Sequence, residues 1–127
     1  MTIDNELFLQ LLEEAKNSSR LRTAMDLRNS AEDQSQRMLN ALQPGTQVPV
    51  HRHPLSSETI VVLYGHLTEI YFNEEGHITE EFQLGANGLM GLNIPKGQWH
   101  TVRVTEPCVI MEVKDGPYRP AQPEDLR

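Results

Sequence analysis

From residue 21 onward the chain is a succession of short apolar or alternating runs separated by turn-forming residues. Turn signals such as Pro44-Gly45, Asn73-Glu-Glu-Gly76 and Pro95-Lys-Gly97 stand between the runs. Because no helical run interrupts them, the pattern favours an all-β fold, an antiparallel sandwich or barrel. The predicted strands are Arg22–Leu27, Arg37–Leu42, Val48–His53, Thr59–Tyr64, Leu67–Phe72, Ile78–Gln83, Gly91–Ile94, His100–Val104 and Val109–Val113.

The N-terminal segment differs, and it predicts one amphipathic helix over Asp4 to Ser18. Asp4 is a suitable N-cap residue. Apolar residues then recur at helical spacing, at Leu7, Phe8, Leu11, Leu12 and Ala15. We expect residues 1–20 to pack as a helix on a single β domain formed by residues 21–127. That domain ends in an irregular, proline-containing tail that begins at Asp115.

Length and charge narrow the functional classes. A chain of 127 residues is enough for one domain. The net charge of −7 offers no basic surface for nucleic acid or anionic lipid. The longest apolar runs are too short to cross a bilayer, and the acidic N-terminus lacks the features of a signal peptide. The predicted location is cytoplasmic, with a small-molecule ligand, no nucleic acid and no membrane.

Three histidines and one glutamate indicate a metal site. His51 and His53 are two positions apart, so they project from the same face of an extended segment. Glu58 follows them after a loop-length spacer, and Pro95-Lys-Gly97-Gln-Trp-His100 supplies the third imidazole. Nitrogen and carboxylate ligands of this kind suit a divalent first-row metal. The residues predict one such ion (zinc, iron, manganese or nickel) held by all four side chains.

Alternation along the strands predicts where this site lies. Glu58 shares its face with Ile60, Val62 and Tyr64, and His100 shares its face with two valines. A carboxylate or an imidazole beside such side chains is costly to bury unless it is paired or bound to metal. We therefore expect the metal at the mouth of a barrel.

Five further residues are candidates for the lining of the pocket. Arg37 and Asn40 lie on opposite faces of one predicted strand, so at most one of them reaches the interior. Arg37 would clamp a carboxylate or phosphate, whereas Asn40 would hydrogen-bond a metal-bound ligand. Tyr64 and Tyr71 are acid–base candidates only if their strands face the pocket. Trp99 either offers an apolar platform to a sugar ring or plugs the opposite side of its strand.

The quoted residues resemble the two-motif pattern of the cupin superfamily. The first motif runs from Gly45 through the His-x-His pair and Glu58 to Gly65 and is complete. The second motif is partial: Pro95, Gly97 and His100 fit, but the preceding glycine is displaced to Gly88, and Val104 replaces the expected asparagine. The chain is also similar to the WbuC family of small cupin metalloproteins. That likeness rests on residues 36–45, His51-Arg-His-Pro, Ser57-Glu-Thr, residues 94–101 and residues 112–118.

The resemblance implies a double-stranded β-helix, the jelly-roll cupin barrel, with the four named residues as metal ligands. It also implies a sugar-related ligand and a role in bacterial cell-surface polysaccharide biosynthesis. No settled reaction accompanies the family, so several functions stay open. One is a metal-dependent enzyme acting on a small polar substrate, including iron-dependent oxygenation, and another is a non-catalytic, metal-dependent binding module. Open sheet edges also make a homodimer plausible.

Overall fold

The computed structural model describes residues 1–127 and contains one N-terminal helix followed by eight strands. The strands pair only in the antiparallel sense. The predicted fold class is thereby confirmed, with eight of the nine predicted runs forming strands. The elements are α1 (Asn5–Lys16), β1 (Arg22–Asp26), β2 (Ser35–Leu42), β3 (Glu58–Tyr64), β4 (His66–Phe72), β5 (Ile78–Gly85), β6 (Gly91–Ile94), β7 (Trp99–Arg103), β8 (Cys108–Asp115) and a short 3-10 helix, Pro123–Asp125.

The strands form two sheets that face each other. The larger sheet has the order β1-β2-β8-β3-β6, and the smaller has the order β5-β4-β7. Their inner faces bury a shared apolar cluster, which is the main hydrophobic core. Its members are Leu42, Ile60, Val62, Leu67, Tyr71, Leu84, Ile94, Val104, Cys108 and Ile110.

The helix covers the outer face of the larger sheet. The carboxylate of Asp4 accepts a hydrogen bond of 3.0 Å from the backbone N–H of Leu7, which caps the first turn as predicted. The helix ends at Lys16 rather than at Ser18. Its apolar stripe packs against residues of β2 and β8 in a second cluster: Phe8, Leu11, Leu12, Ala15, Leu39, Ala41 and Val109. The division into a helix at 1–20 and a domain at 21–127 stays a prediction.

The prediction of a strand at Val48–His53 is wrong, because the structure has no regular strand between β2 and β3. Within Val48–His53 only His51 forms β-bridges, one to His100 and one to Leu126. Pro49 and Pro54 stand on either side of His51 and have no backbone N–H, which removes two donors that a longer ladder could use. No helix of the structure combines the length and hydrophobicity needed to cross a bilayer.

Candidate metal centre

The histidine-bearing segment is tied to β7 by main-chain hydrogen bonds. The N–H of His51 donates to the carbonyl of His100 at 3.0 Å, and the N–H of His100 donates back to His51 at 2.8 Å. The N–H of Gly97 donates to the carbonyl of His53 at 2.9 Å, from a turn in which Gly97 has φ of +82°. That angle favours glycine, so the turn before β7 depends on this residue. The two sequence motifs are therefore joined by the backbone itself.

Three imidazoles converge where these segments meet. One nitrogen each of His51, His53 and His100 lies within 4.8 Å of the other two. The ring centroids of His51 and His100 are 4.3 Å apart, and those of His51 and His53 are 5.0 Å apart. Such spacing is compatible with three ligands of a single ion.

Backbone carbonyls determine which ring nitrogen faces the common point. The Nδ1 atoms of His51 and His100 each lie 2.8 Å from a carbonyl oxygen, of Pro49 and Gln98 respectively. Because a carbonyl can only accept, each Nδ1 carries the hydrogen and donates it. The Nε2 atoms then hold free lone pairs, which is the arrangement that metal-binding histidines use.

Two of these nitrogens make no hydrogen bond within the protein. Nε2 of His53 and Nε2 of His100 are buried and have no hydrogen bond. Buried polar atoms of this kind are rare, because each one loses its hydration without compensation. A shared cation would satisfy both atoms, so the donor set fits a metal.

Glu58 completes the candidate set from the first residue of β3. Its side chain is buried, with Oε2 at 2.8 Å from Nε2 of His53 and 3.4 Å from Nζ of Lys114. Oε2 of Glu58 and Nε2 of His53 are close enough to bind one cation together. Burial alone would raise the pKa of Glu58, but His53 and the Lys114 ammonium hold it at about 2.

Two of the imidazoles, those of His51 and His100, have lowered pKa values that keep them neutral near neutral pH. Burial lowers the pKa of His51 to about 4, and the neighbouring His100 adds to this shift. Burial likewise lowers the pKa of His100. Metal ligation requires the neutral ring, so the ionisation states of the site favour binding.

A cavity of about 190 Å³ extends inward from these ligands. Apolar walls such as Ile60, Val102 and Ile110 alternate with polar side chains. The polar members beyond the ligands are Arg22, Asn40, Glu69, Glu112 and Lys114. We call this cavity the inner chamber.

A larger cavity of about 620 Å³ lies on the outer side. Its walls include the loop of residues 52–56 and the C-terminal tail of residues 115–122. His51 and His53 border both cavities, so they stand between the inner chamber and this outer opening. The tail, predicted to be irregular, thus forms one wall of the entrance.

The structure distributes the five predicted pocket residues unevenly. Asn40 lines the inner chamber. Arg37 lies on the other face of β2, where its guanidinium donates to the carbonyl of Leu27 at 3.0 Å. Tyr71 is buried in the core with its ring centroid 5.0 Å from that of Phe82.

The two remaining aromatic residues point away from the metal ligands. A β-bulge between Val62 and Tyr64 turns Tyr64 from the face of Glu58 to the helix, where it packs on Phe8 with ring centroids 6.3 Å apart. Trp99 is buried and contacts two guanidinium groups, that of Arg52 at 4.7 Å and that of Arg127 at 4.0 Å from the ring centroid. It therefore plugs the far side of β7, the second of its two predicted positions.

Sequence reasoning missed two acidic residues of the inner chamber, Glu69 and Glu112. Glu69 is fully buried, and burial together with the charges of Glu58 and Glu112 raises its pKa well above the usual range. Burial and the Glu58 charge raise the pKa of Glu112 to about 7. The sequence does contain a pattern that indicates burial of Glu69, because Glu69 shares one face of its strand with Leu67 and Tyr71.

Comparison with known proteins places the chain in a family. The model of the family described as "Domain of unknown function (DUF6016)" matches residues 3–84, which is more than half of the chain. The match includes His51, His53 and Glu58 and ends before His100. A search of curated proteins finds no significant match.

Solved structures share the fold at low sequence identity. The capsular polysaccharide assembling protein CapF from Staphylococcus aureus is 20% identical, with a TM-score of 0.70, over 87% of this chain and 30% of CapF. The chain thus spans under a third of the length of CapF. The protein TT1209 from Thermus thermophilus is 24% identical, with a TM-score of 0.64, over 91% of this chain and 98% of its own.

A cupin 2 domain-containing protein from Halorhodospira halophila is 17% identical, with a TM-score of 0.63, over 80% of this chain and 70% of its own. These likenesses confirm the predicted cupin fold, whereas the resemblance to the WbuC family stays a prediction. The chain therefore belongs to the DUF6016 family and has the fold of a cupin.

Proposed function

We propose that this chain is a metal-binding cupin that holds one divalent ion through His51, His53, Glu58 and His100. The observation that carries the proposal is the convergence of three imidazoles, two of which have buried Nε2 atoms that make no hydrogen bond. Zinc, iron, manganese and nickel all accept such nitrogen and oxygen ligands. A bound ion would polarise an oxygen of the ligand or lower the pKa of a coordinated water.

The proposed ligand is a sugar or sugar derivative of bacterial cell-surface polysaccharide biosynthesis. Support comes from the fold shared with CapF, which is described as a capsular polysaccharide assembling protein. The chamber adds chemical support, because its amide, carboxyl and ammonium groups suit a hydroxylated molecule. Residues of the chain would orient the ligand, with Asn40 and Lys114 as hydrogen-bond donors on two neighbouring strands.

A non-catalytic binding module is the second candidate. The observation that favours it is that the predicted acid–base tyrosines lie outside the chamber, Tyr71 in the core and Tyr64 under the helix. The module would hold the same ligand at the same metal and release it unchanged. The predicted homodimer and the WbuC assignment are compatible with both candidates.

Elemental analysis of protein purified without added metal tests the metal site. We expect about one transition-metal ion per chain, or uptake of one ion from zinc, iron, manganese or nickel by the chelator-stripped protein. Absence of uptake from all four would refute the site.

Incubation of the loaded protein with a panel of nucleotide sugars then separates the two candidates. Turnover, or oxygen consumption by the iron-loaded form, selects the enzyme, and Glu58→Gln should weaken it. A ligand-dependent rise in melting temperature, with every sugar recovered unchanged, selects the binding module.

A further inference from the structure

One polar side chain deep in the barrel has no partner in the protein. Glu69 is 1% exposed, and its Oε1 atom makes no hydrogen bond. In the β4–β7 register, Tyr71 is opposite His100, and Glu69 is opposite Val102, one inward step farther along both strands. The carboxyl group of Glu69 therefore lines the inner chamber beyond the metal ligands.

Folding alone does not account for a carboxyl group at this position. Burial of an unpartnered carboxyl costs free energy whether it is ionised or protonated, and an apolar side chain of similar size would avoid that cost. The neighbours on the same inward face, Leu67 and Tyr71, belong to the apolar core. A residue that costs stability while facing a cavity is typical of a binding role.

The chamber matches a small molecule that carries hydroxyl groups. Its volume of about 190 Å³ corresponds to about six water molecules at ~30 Å³ each. A hydroxyl both donates and accepts, so it can satisfy Glu69 in either protonation state. Asn40 and Glu112 supply further polar groups, and Ile60, Val102 and Ile110 supply walls for C–H surfaces. An ionised ligand carboxylate only accepts hydrogen bonds, so it could satisfy Glu69 in the protonated state alone.

We propose that the inner chamber is a hydroxyl-recognition site, in which Glu69 hydrogen-bonds a hydroxyl of a small polyhydroxylated ligand whose other end lies at the metal ligands. The proposal rests on the proposed function and deepens it by naming the chemical class of the ligand and the residue that selects it. Glu69 acts here as a specificity-determining residue.

The test compares zinc-loaded wild type with Glu69→Met and Glu69→Gln. D-xylose and xylitol serve as hydroxylated probes, and succinate serves as an anionic probe of similar size. Affinities come from ligand-observed NMR titration, zinc content from elemental analysis and melting temperatures from calorimetry. Glu80→Gln is the matched control, because Glu80 is exposed on the neighbouring strand β5.

We expect wild type to bind a hydroxylated probe more tightly than succinate. Glu69→Met should weaken that binding about tenfold or more while raising the melting temperature by about 3 °C, because it removes an unpartnered buried group. Glu69→Gln should lose less affinity, since the amide group can both donate to and accept from a ligand hydroxyl. All variants should retain zinc at the wild-type stoichiometry, and Glu80→Gln should match wild type in every measurement.

Two results would overturn the inference. One is a wild-type protein that holds zinc but binds neither hydroxylated probe, or binds succinate better. The other is a Glu69→Met variant with lower melting temperature and unchanged affinity, which would make Glu69 a structural residue. Failure of the proposed function is a separate outcome, because it would appear as absent zinc in wild type before any probe is added.

Discussion

The two ends of the barrel interior are built from the same strands but differ in chemistry. On β8, Cys108 and Ile110 belong to the apolar core, whereas Glu112 and Lys114 line the inner chamber. Tight apolar packing at one end supplies stability roughly in proportion to the surface it buries. The polar end buries carboxyl groups and imidazoles. These groups lose hydration when they are buried, which lowers the free energy of unfolding. The contrast shows how a stable framework can support a site whose own groups are poorly satisfied.

The largest effect is expected at the polar end, from His100→Ala. Removal of one imidazole from the converging set should weaken metal binding by about a hundredfold or more, because the remaining donors cannot complete the coordination. Competition with a coloured chelator measures the affinity. His77→Ala is the matched control, because His77 is exposed in the β4–β5 turn. Equal metal affinities of the two variants would contradict the assignment of the site.

A substitution in the apolar end should change stability without changing metal content. Leu84 is 1% exposed in the core, so Leu84→Ala should lower the free energy of unfolding by about 3 kcal/mol. Urea denaturation of the metal-free protein measures this loss. Leu9→Ala removes an exposed leucine from the helix and should cost less than about 0.5 kcal/mol. If both variants lost a similar free energy of unfolding, Leu84 could not be assigned to a core that stabilises the fold more than the surface does.

The reactivity of Cys108 probes the apolar end directly. Its side chain is buried, and burial, aided by the charge of Glu106, raises the pKa of the thiol to about 12. Alkylation by iodoacetamide at pH 8 should therefore be about a hundredfold slower in native than in urea-unfolded protein. Mass spectrometry of timed samples gives both rates. Native and unfolded rates within a factor of about three would show that this end admits solvent and reagent.

The smallest effect is expected outside the barrel, at the helix cap. Asp4→Ala removes the acceptor for the N–H of Leu7 and should lower the free energy of unfolding by about 1 kcal/mol. The metal affinity should stay at the wild-type value, because the helix packs on the outer face of the larger sheet. Glu14→Ala, an exposed position of the same helix, is the control for the urea measurement. An unchanged midpoint for Asp4→Ala would mean that the cap adds nothing to stability.

Local patterns in the sequence predict most of the fold. Short runs of β-forming residues between turn signals identify all eight strands. The N-cap at Asp4 and the apolar stripe identify the helix. The spacing of His51, His53, Glu58 and His100 also suggests a shared site, and the structure brings these four side chains together.

The remaining features depend on contacts that a single strand does not encode. Tyr64 leaves the face of Glu58 because a bulge shifts the register, and a one-residue shift reverses the direction of a side chain. Glu69 lies on β4, the central strand of the smaller sheet, which is largely buried on both faces. Alternation therefore cannot decide which face of β4 lines the chamber.

We propose that His51, His53, Glu58 and His100 bind one ion together. X-ray diffraction from zinc-soaked crystals, with anomalous data collected at the zinc edge, would locate that ion. We expect one strong anomalous peak, with an Nε2 atom of each histidine at about 2.0–2.1 Å and an oxygen of Glu58 at about 2.0–2.2 Å. A peak bound elsewhere on the protein, or no peak while these four side chains stay unligated, would contradict the account.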